Sequence, residues 1–125
     1  MLAVAFGIPA LARAQSPTET NQCRAHAESE QYADSLLSDT YWSVEGHEIV
    51  LPAEVIRRLR RVVVEAPLTE QRWRRVSQLT HFFNLPDSAV ALAQTAVQEW
   101  PTCPVGRTAL AQAQAAREWQ TRRRP

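Results

Sequence analysis

The sequence predicts an all-α fold, either a short stack of antiparallel helical hairpins or a small helical bundle. Apolar residues recur with helical spacing on both sides of a proline-marked turn between Leu68 and Pro101. Two pairs of prolines also share the same separation along the chain, and only 3 of the 125 residues are glycine. A chain of this length closes one core, so we expect a single helical domain over residues 23–119.

The first fourteen residues have the features of an export signal. They form a short apolar run that ends in Ala12, Arg13 and Ala14, the small-x-small pattern that signal peptidase accepts. The run is too short to span a bilayer, so no stable membrane insertion is expected. A buried N-terminal helix is the alternative. The polar stretch 15–22 follows at once, which favours a signal over residues 1–14 and a flexible start to the mature chain.

The next predicted helix covers residues 21–37 and has an acidic outer face. Its inward positions are Cys23, Ala27, Ala33, Leu36 and Leu37. Residues 41–51 permit either a helix, which we favour, or a small hairpin that bends at Gly46. The first of two repeat-like units is expected over about 39–67.

Pro52 predicts the start of a helix that runs to about Val64. Apolar residues fall on one face of this helix and arginines on the other. The inward set is Val55, Ile56, Leu59, Val62 and Val63, and the outward set is Arg57, Arg58, Arg60 and Arg61.

Residues 68–101 predict a helical hairpin, because a short link joins two apolar stripes. Thr69 is placed to cap the first helix. Leu68 and Trp73 have the spacing that staples a helix start. Asp87 is expected to cap the second helix. The inward faces comprise Trp73, Val76, Leu79, Thr80 and Phe83, and then Ala89, Val90, Ala93, Ala96, Val97 and Trp100. A closing helix is expected over 104–119, followed by a frayed basic tail over 120–125.

Two pairs of prolines lie 34 residues apart, Pro52 with Pro86 and Pro67 with Pro101, and the apolar stripe repeats in the same phase. The unit 73–101 resembles a tetratricopeptide repeat. The residues Trp73, Val76, Ser77, Ala89, Ala96 and Pro101 fall on positions of the repeat pattern, whereas Thr80 and Ala93 replace its large rings. The resemblance implies stacked helices with a concave groove for a protein or peptide partner, and no catalysis by the repeat. It also implies self-association as one way to extend so short a stack.

Cys23 and Cys103 form an even pair, which an oxidising compartment can join in a disulfide. A small secreted enzyme or metal protein that uses Cys23, His26 and His47 is a different reading of the same residues. Two ligands do not make a tetrahedral site, so we favour the disulfide. No metal, no cofactor and no catalytic residue is expected.

Charge is distributed unevenly along the chain. Residues 15–54 carry eight acidic side chains against one arginine, whereas residues 55–75 carry seven arginines against two acids. One interpretation is that the acidic segment lies over the basic helices. We predict a periplasmic or secreted protein that binds or scaffolds an anionic protein or peptide through Arg57, Arg58, Arg61, Arg72 and Arg75. Nucleic-acid binding is the alternative if the N-terminus is not a signal, and it is not expected for an exported chain.

Overall fold

A computed structural model describes residues 23–48 and 51–123. These residues form five helices: α1 Ala27–Glu45, α2 Pro52–Glu65, α3 Glu70–Phe82, α4 Pro86–Glu99 and α5 Pro104–Arg123. Every regular element in the described residues is helical, which confirms the all-α prediction. The proposed signal 1–14 and the polar stretch 15–22 lie outside the described residues.

The five helices pack in two layers. Each helix contacts its neighbour along the chain, α1 and α5 both contact α3, and α2 contacts α4. We call α1, α3 and α5 the front layer and α2 and α4 the back layer. Successive helices joined by short loops run antiparallel, so the three front-layer helices run parallel to one another.

Helix α1 starts at Ala27, later than the predicted residue 21, because residues 23–26 are not helical. It then runs to Glu45 and so joins two segments that the sequence analysis kept apart. Between Ala27 and Glu45 there is neither glycine nor proline, so the chain has no residue that ends a helix. The Thr40 hydroxyl donates to the Leu36 carbonyl at 2.7 Å, a bond that is compatible with a helix interior. The alternative hairpin at Gly46 is wrong for the described residues, because residues 41–45 are helical.

The chain leaves α1 through a turn at Gly46. The Gly46 amide donates to the Trp42 carbonyl at 2.9 Å. His47 then adopts the left-handed conformation with φ of 63°. Helix α2 starts at Pro52, as predicted.

The back-layer helices repeat one another at a spacing of 34 residues. Pro52 and Pro86 are each the first residue of a helix. Inward positions 34 residues apart are buried in both helices. These pairs are Val55 and Ala89, Leu59 and Ala93, and Val62 and Ala96. The apolar faces predicted from the sequence are therefore the faces that these two helices bury in the core.

The start of α3 agrees with the prediction and the start of α4 does not. The Thr69 side chain accepts a hydrogen bond from the Arg72 amide at 3.1 Å, which caps α3. Asp87 caps nothing, because α4 begins one residue earlier at Pro86, with Leu85 as its N-cap. Proline at the first helical position has the required φ and no amide that needs a partner, so it sets the start.

Helix α5 packs closely on α4 and extends further than expected. Gly106 is buried against Val97, and a Cβ placed on it would lie 3.5 Å from Val97 Cγ2. The helix continues to Arg123, four residues beyond Trp119. An ion pair between Arg122 and Glu118, one turn apart, supports this last turn.

A disulfide joins the two ends of the front layer. Cys23 precedes α1, Cys103 precedes α5, and the two are bonded across 80 residues of sequence. Cys103 is 1% exposed, and its Sγ lies 3.6 Å from the Leu68 carbonyl oxygen just before α3. The N-terminal ends of the three front-layer helices therefore meet around this bond. None of the helices in the described ranges is both long and apolar enough to cross a membrane.

Candidate functional site: the front-layer groove

A cleft of about 860 Å³ opens on the front layer, at the end where the helix N-termini meet. Helices α1 and α3 and the first residues of α5 line it. We call this cleft the front-layer groove. The charged side chains in its lining are Arg24, Glu30, Asp34, Glu70, Arg72, Arg74 and Arg75.

Arg72 is a buried member of the lining and is fully engaged within the fold. Its side chain is 5% exposed. Nε donates to Asp34 Oδ1 at 2.8 Å, Nη2 donates to Glu30 Oε1 at 2.6 Å, and Nη1 donates to the Pro67 carbonyl at 2.8 Å. These bonds tie α3 to α1 and to the loop before α3. Arg72 is therefore not part of the exposed arginine surface that the sequence analysis predicted.

The charge state of Arg72 follows from these contacts. Burial favours the neutral guanidine, but hydrogen bonds and charges from Asp34 and Glu30 outweigh it, so the Arg72 pKa lies above its ordinary value. Arg72 stays charged, and together with the two carboxylates it forms a cluster with one net negative charge. The acidic α1 does lie over the basic α3 at this point, as one interpretation of the charge distribution expected.

Three arginines in the lining remain available to a ligand. Arg24, Arg74 and Arg75 lie outside the buried Arg72 cluster, against Glu70 as the single further acid of the lining. The Arg75 guanidinium carbon lies 3.9 Å from the centre of the Tyr41 ring, a cation–π contact that fixes its position. The four arginines and three acids of the lining sum to a net charge of +1, and the arginines outside the Arg72 cluster supply this positive excess.

The other predicted binding arginines lie on the back layer, away from the groove. Arg57 and Arg58 of α2 both bond the Glu54 carboxylate. The Arg57 hydrogen bond, followed by that of Arg58, holds the Glu54 pKa below its ordinary value of 4.5. Arg61 lies 3.6 Å from Glu65 and over the Tyr32 ring of α1. Of the five predicted binding arginines, Arg72 is therefore buried and Arg75 lines the groove. The other three lie on α2 in the back layer.

The residues of the metal-site alternative are not brought together. The Cys23 sulfur is bonded to Cys103 and is not a thiolate. His26 and His47 flank opposite ends of α1, which at 1.5 Å per residue separates them by roughly 30 Å. Within residues 23–48 and 51–123, no group of three or more potential metal ligands occurs.

Two groove residues, Arg24 and Arg74, were missed by sequence reasoning. Arg24 reaches the groove because the disulfide holds the adjacent Cys23 beside α5. The sequence does indicate that Arg74 is exposed, because it lies between Arg72 and Arg75 on a helix whose opposite face is apolar. Comparison with protein-family models, curated proteins and solved structures found no match to the chain.

Proposed function

We propose that this protein is a non-enzymatic binding domain that holds an anionic segment of a partner protein in the front-layer groove. The observation that carries the proposal is the set of three available arginines around one open cleft, Arg24 just before α1 and Arg74 and Arg75 on α3. In this arrangement the domain acts as an adaptor or scaffold, with an organisation similar to that of tetratricopeptide modules.

Rigidity of the groove supports this role. Most of its lining residues belong to helices, and the Arg72 cluster and the disulfide hold α1, α3 and α5 in register. A preorganised surface loses little conformational entropy on binding, so a modest number of contacts suffices for affinity. Charge complementarity then sets the preference for acidic peptides and accelerates their encounter.

An exported location fits the same residues. Disulfides persist in the periplasm and outside the cell and are rare in the cytosol. The apolar run 1–14 with its Ala12-Arg13-Ala14 ending supports the same compartment. Mass spectrometry of the mature protein tests this part: we expect cleavage after Ala14 and the loss of two hydrogens for the Cys23–Cys103 bond.

Peptide selection tests the binding proposal directly. The purified oxidised protein is used to select from a random peptide library, and selected peptides are measured by fluorescence polarisation. We expect peptides rich in Asp and Glu, and at least about a tenfold loss of affinity in the Arg74→Glu, Arg75→Glu double variant, because each reversal adds repulsion in the groove.

The matched control reverses two exposed back-layer arginines, Arg57→Glu and Arg60→Glu. This variant changes net charge by the same amount and leaves the groove intact, so its affinity should stay within about twofold of the parent. Equal losses in both double variants would show a non-specific charge effect and contradict a groove site. Selection of peptides without acidic residues would contradict the proposed partner class.

A further inference from the structure

The disulfide between Cys23 and Cys103 lies at the edge of the front-layer groove. Cys23 and the adjacent Arg24 are lining residues, and so are the two residues that follow Cys103. Cys23 is half-buried, whereas Cys103 is 1% exposed. A thiol in solution therefore reaches this bond from the groove, through the Cys23 sulfur.

The segment that carries Arg24 has few other anchors. Residues 23–26 precede α1 and are not helical. Besides the disulfide, the Ala25 amide donates to Glu30 Oε2 at 2.7 Å, and the Ala25 side chain packs partly against the core. Ordering these four residues costs more conformational entropy than one hydrogen bond and one partly buried methyl group return. The disulfide is therefore the anchor that keeps Arg24 at the groove.

The rest of the groove is held by contacts that do not involve sulfur. Arg72 bonds Asp34 and Glu30 and so ties α3 to α1. The Arg75 guanidinium lies over the Tyr41 ring. Loss of the disulfide would thus remove one of the three available arginines and leave the two on α3 in place.

The buried position of Cys103 accommodates a thiol as well as a disulfide sulfur. Its Sγ lies 3.6 Å from the Leu68 carbonyl oxygen, so an S–H at this position can donate to that oxygen. A free cysteine also packs like a small apolar residue. In the dithiol form Cys103 therefore stays in the core, and the part that is released is Cys23 with its segment.

We propose that thiol–disulfide exchange at Cys23 and Cys103 regulates the groove, and that the disulfide form binds the anionic segment more tightly than the dithiol form. The reductant is a dithiol. One of its thiolates bonds to the Cys23 sulfur, the S–S bond breaks, and its electron pair goes to the Cys103 sulfur, which takes up a proton. The second thiol of the reductant then displaces Cys23, which leaves as a thiol. The protein gains two electrons and two protons, and the reductant becomes a disulfide.

The coupling between the bond and the groove acts in both directions. If the dithiol form binds about fivefold more weakly, a bound segment shifts the redox equilibrium fivefold toward the disulfide. This factor lowers the reduction potential by about 20 mV. The partner therefore protects the bond, and a reductant weakens the hold on the partner. This regulatory role rests on the proposed function, whereas the release of residues 23–26 does not.

Relaxation of the ¹⁵N-labelled full chain, measured by nuclear magnetic resonance, tests the release without a ligand. We expect the order parameter of the Ala25 amide to fall from about 0.85 in the disulfide form to below about 0.6 in dithiothreitol. Leu92 of α4, which is 2% exposed, should stay near about 0.85 in both forms. An ordered Ala25 in the dithiol form would overturn the proposal. So would loss of order at Leu92, because the bond would then control folding rather than the groove.

Fluorescence polarisation with labelled hexaglutamate tests the regulation. Reduction, or replacement of both cysteines by alanine, should weaken binding about fivefold, the contribution of one exposed ion pair. Arg24→Ala should lose the same factor in the disulfide form and nothing more on reduction. The control Arg60→Ala, at an exposed back-layer position, should match the parent in both forms. A further loss when Arg24→Ala is reduced would overturn the proposal.

The two proposals fail in different ways. Hexaglutamate that binds neither form would refute the groove proposal and the regulatory role with it, while the order of Ala25 would still show whether the disulfide holds the segment. Equal binding to both forms would refute the regulation alone and leave the groove as a binding site.

Discussion

Replacement of Arg72 by methionine should destabilise the fold by about 2–4 kcal/mol. Removing one partner of a fully buried ion pair costs about 3–5 kcal/mol. Here the carboxylates regain water, since the side chains of Asp34 and Glu30 are 62% and 23% exposed, which lowers the loss. The Pro67 carbonyl, whose bond to Arg72 is buried, loses its donor and adds about 1–3 kcal/mol.

Urea unfolding of the oxidised protein, followed by circular dichroism, measures this change. For a domain of this size, the expected loss corresponds to a fall in Tm of roughly 8–16 °C. Arg74→Met on the same helix, whose side chain is exposed, should change stability by less than about 0.5 kcal/mol.

A double-mutant cycle identifies the cause. In an Asp34→Asn background the Arg72→Met loss should shrink by about 1 kcal/mol, because the two groups share a direct bond. A loss below about 1 kcal/mol for Arg72→Met alone would refute the reasoning, since the Arg72 cluster would then not hold α1 against α3.

Three further predictions concern other parts of the fold. Replacement of Cys23 and Cys103 by alanine should lower the free energy of unfolding by about 4.5 kcal/mol, the loop-closure entropy expected for 80 residues. In urea titrations a reductant should lower the stability of the parent and leave that of the alanine variant unchanged. Gly106→Ala should stabilise the protein by roughly 0.5–1 kcal/mol, because a Cβ fits there at ordinary contact distance. The larger Gly106→Ile side chain should not fit, so a gain of stability for that variant in the same urea assay would contradict the prediction. Ionised Glu54 contributes its full stabilisation of the fold above its ordinary pKa of 4.5, and this contribution is lost as the pH falls through its lower folded-state pKa. The Tm difference between the parent and Glu54→Gln should therefore narrow progressively below pH 4.5. A difference that stays constant across that range would show that Arg57 does not act on Glu54.

Local signals predicted the helices well where periodicity and helix-end residues agreed. The 34-residue spacing of Pro52 and Pro86 placed both back-layer helices, because proline fixes a helix start and the apolar stripe then sets the buried face. Thr69 as an N-cap was also readable, since capping depends on a side chain and the next few amides.

The repeat frame misled the prediction of α1. It placed a unit boundary near residue 39, although no residue between Ala27 and Glu45 ends a helix. Six residues of sequence, 46–51, separate α1 from α2, whereas three residues, 83–85, separate α3 from α4. This difference in sequence separation moves α1 out of the 34-residue spacing that holds in the back layer.

The candidate binding arginines could not be divided into buried and exposed ones from the sequence, because burial depends on what lies opposite each side chain. Arg72 and Arg75 are three residues apart on α3, yet Asp34 and Glu30 bury the first, while Tyr41 supports the second at the groove.

The bond between Cys23 and Cys103 has a mechanical consequence. Without it, a pull on the chain would unravel helical hairpins one after another. With it, the 80 residues it spans are shielded from tension, and roughly 280 Å of extended polypeptide cannot be drawn out. Force on the carboxyl end would unfold only α5, which follows Cys103. In an oxidising environment the disulfide therefore protects the other four helices from extension.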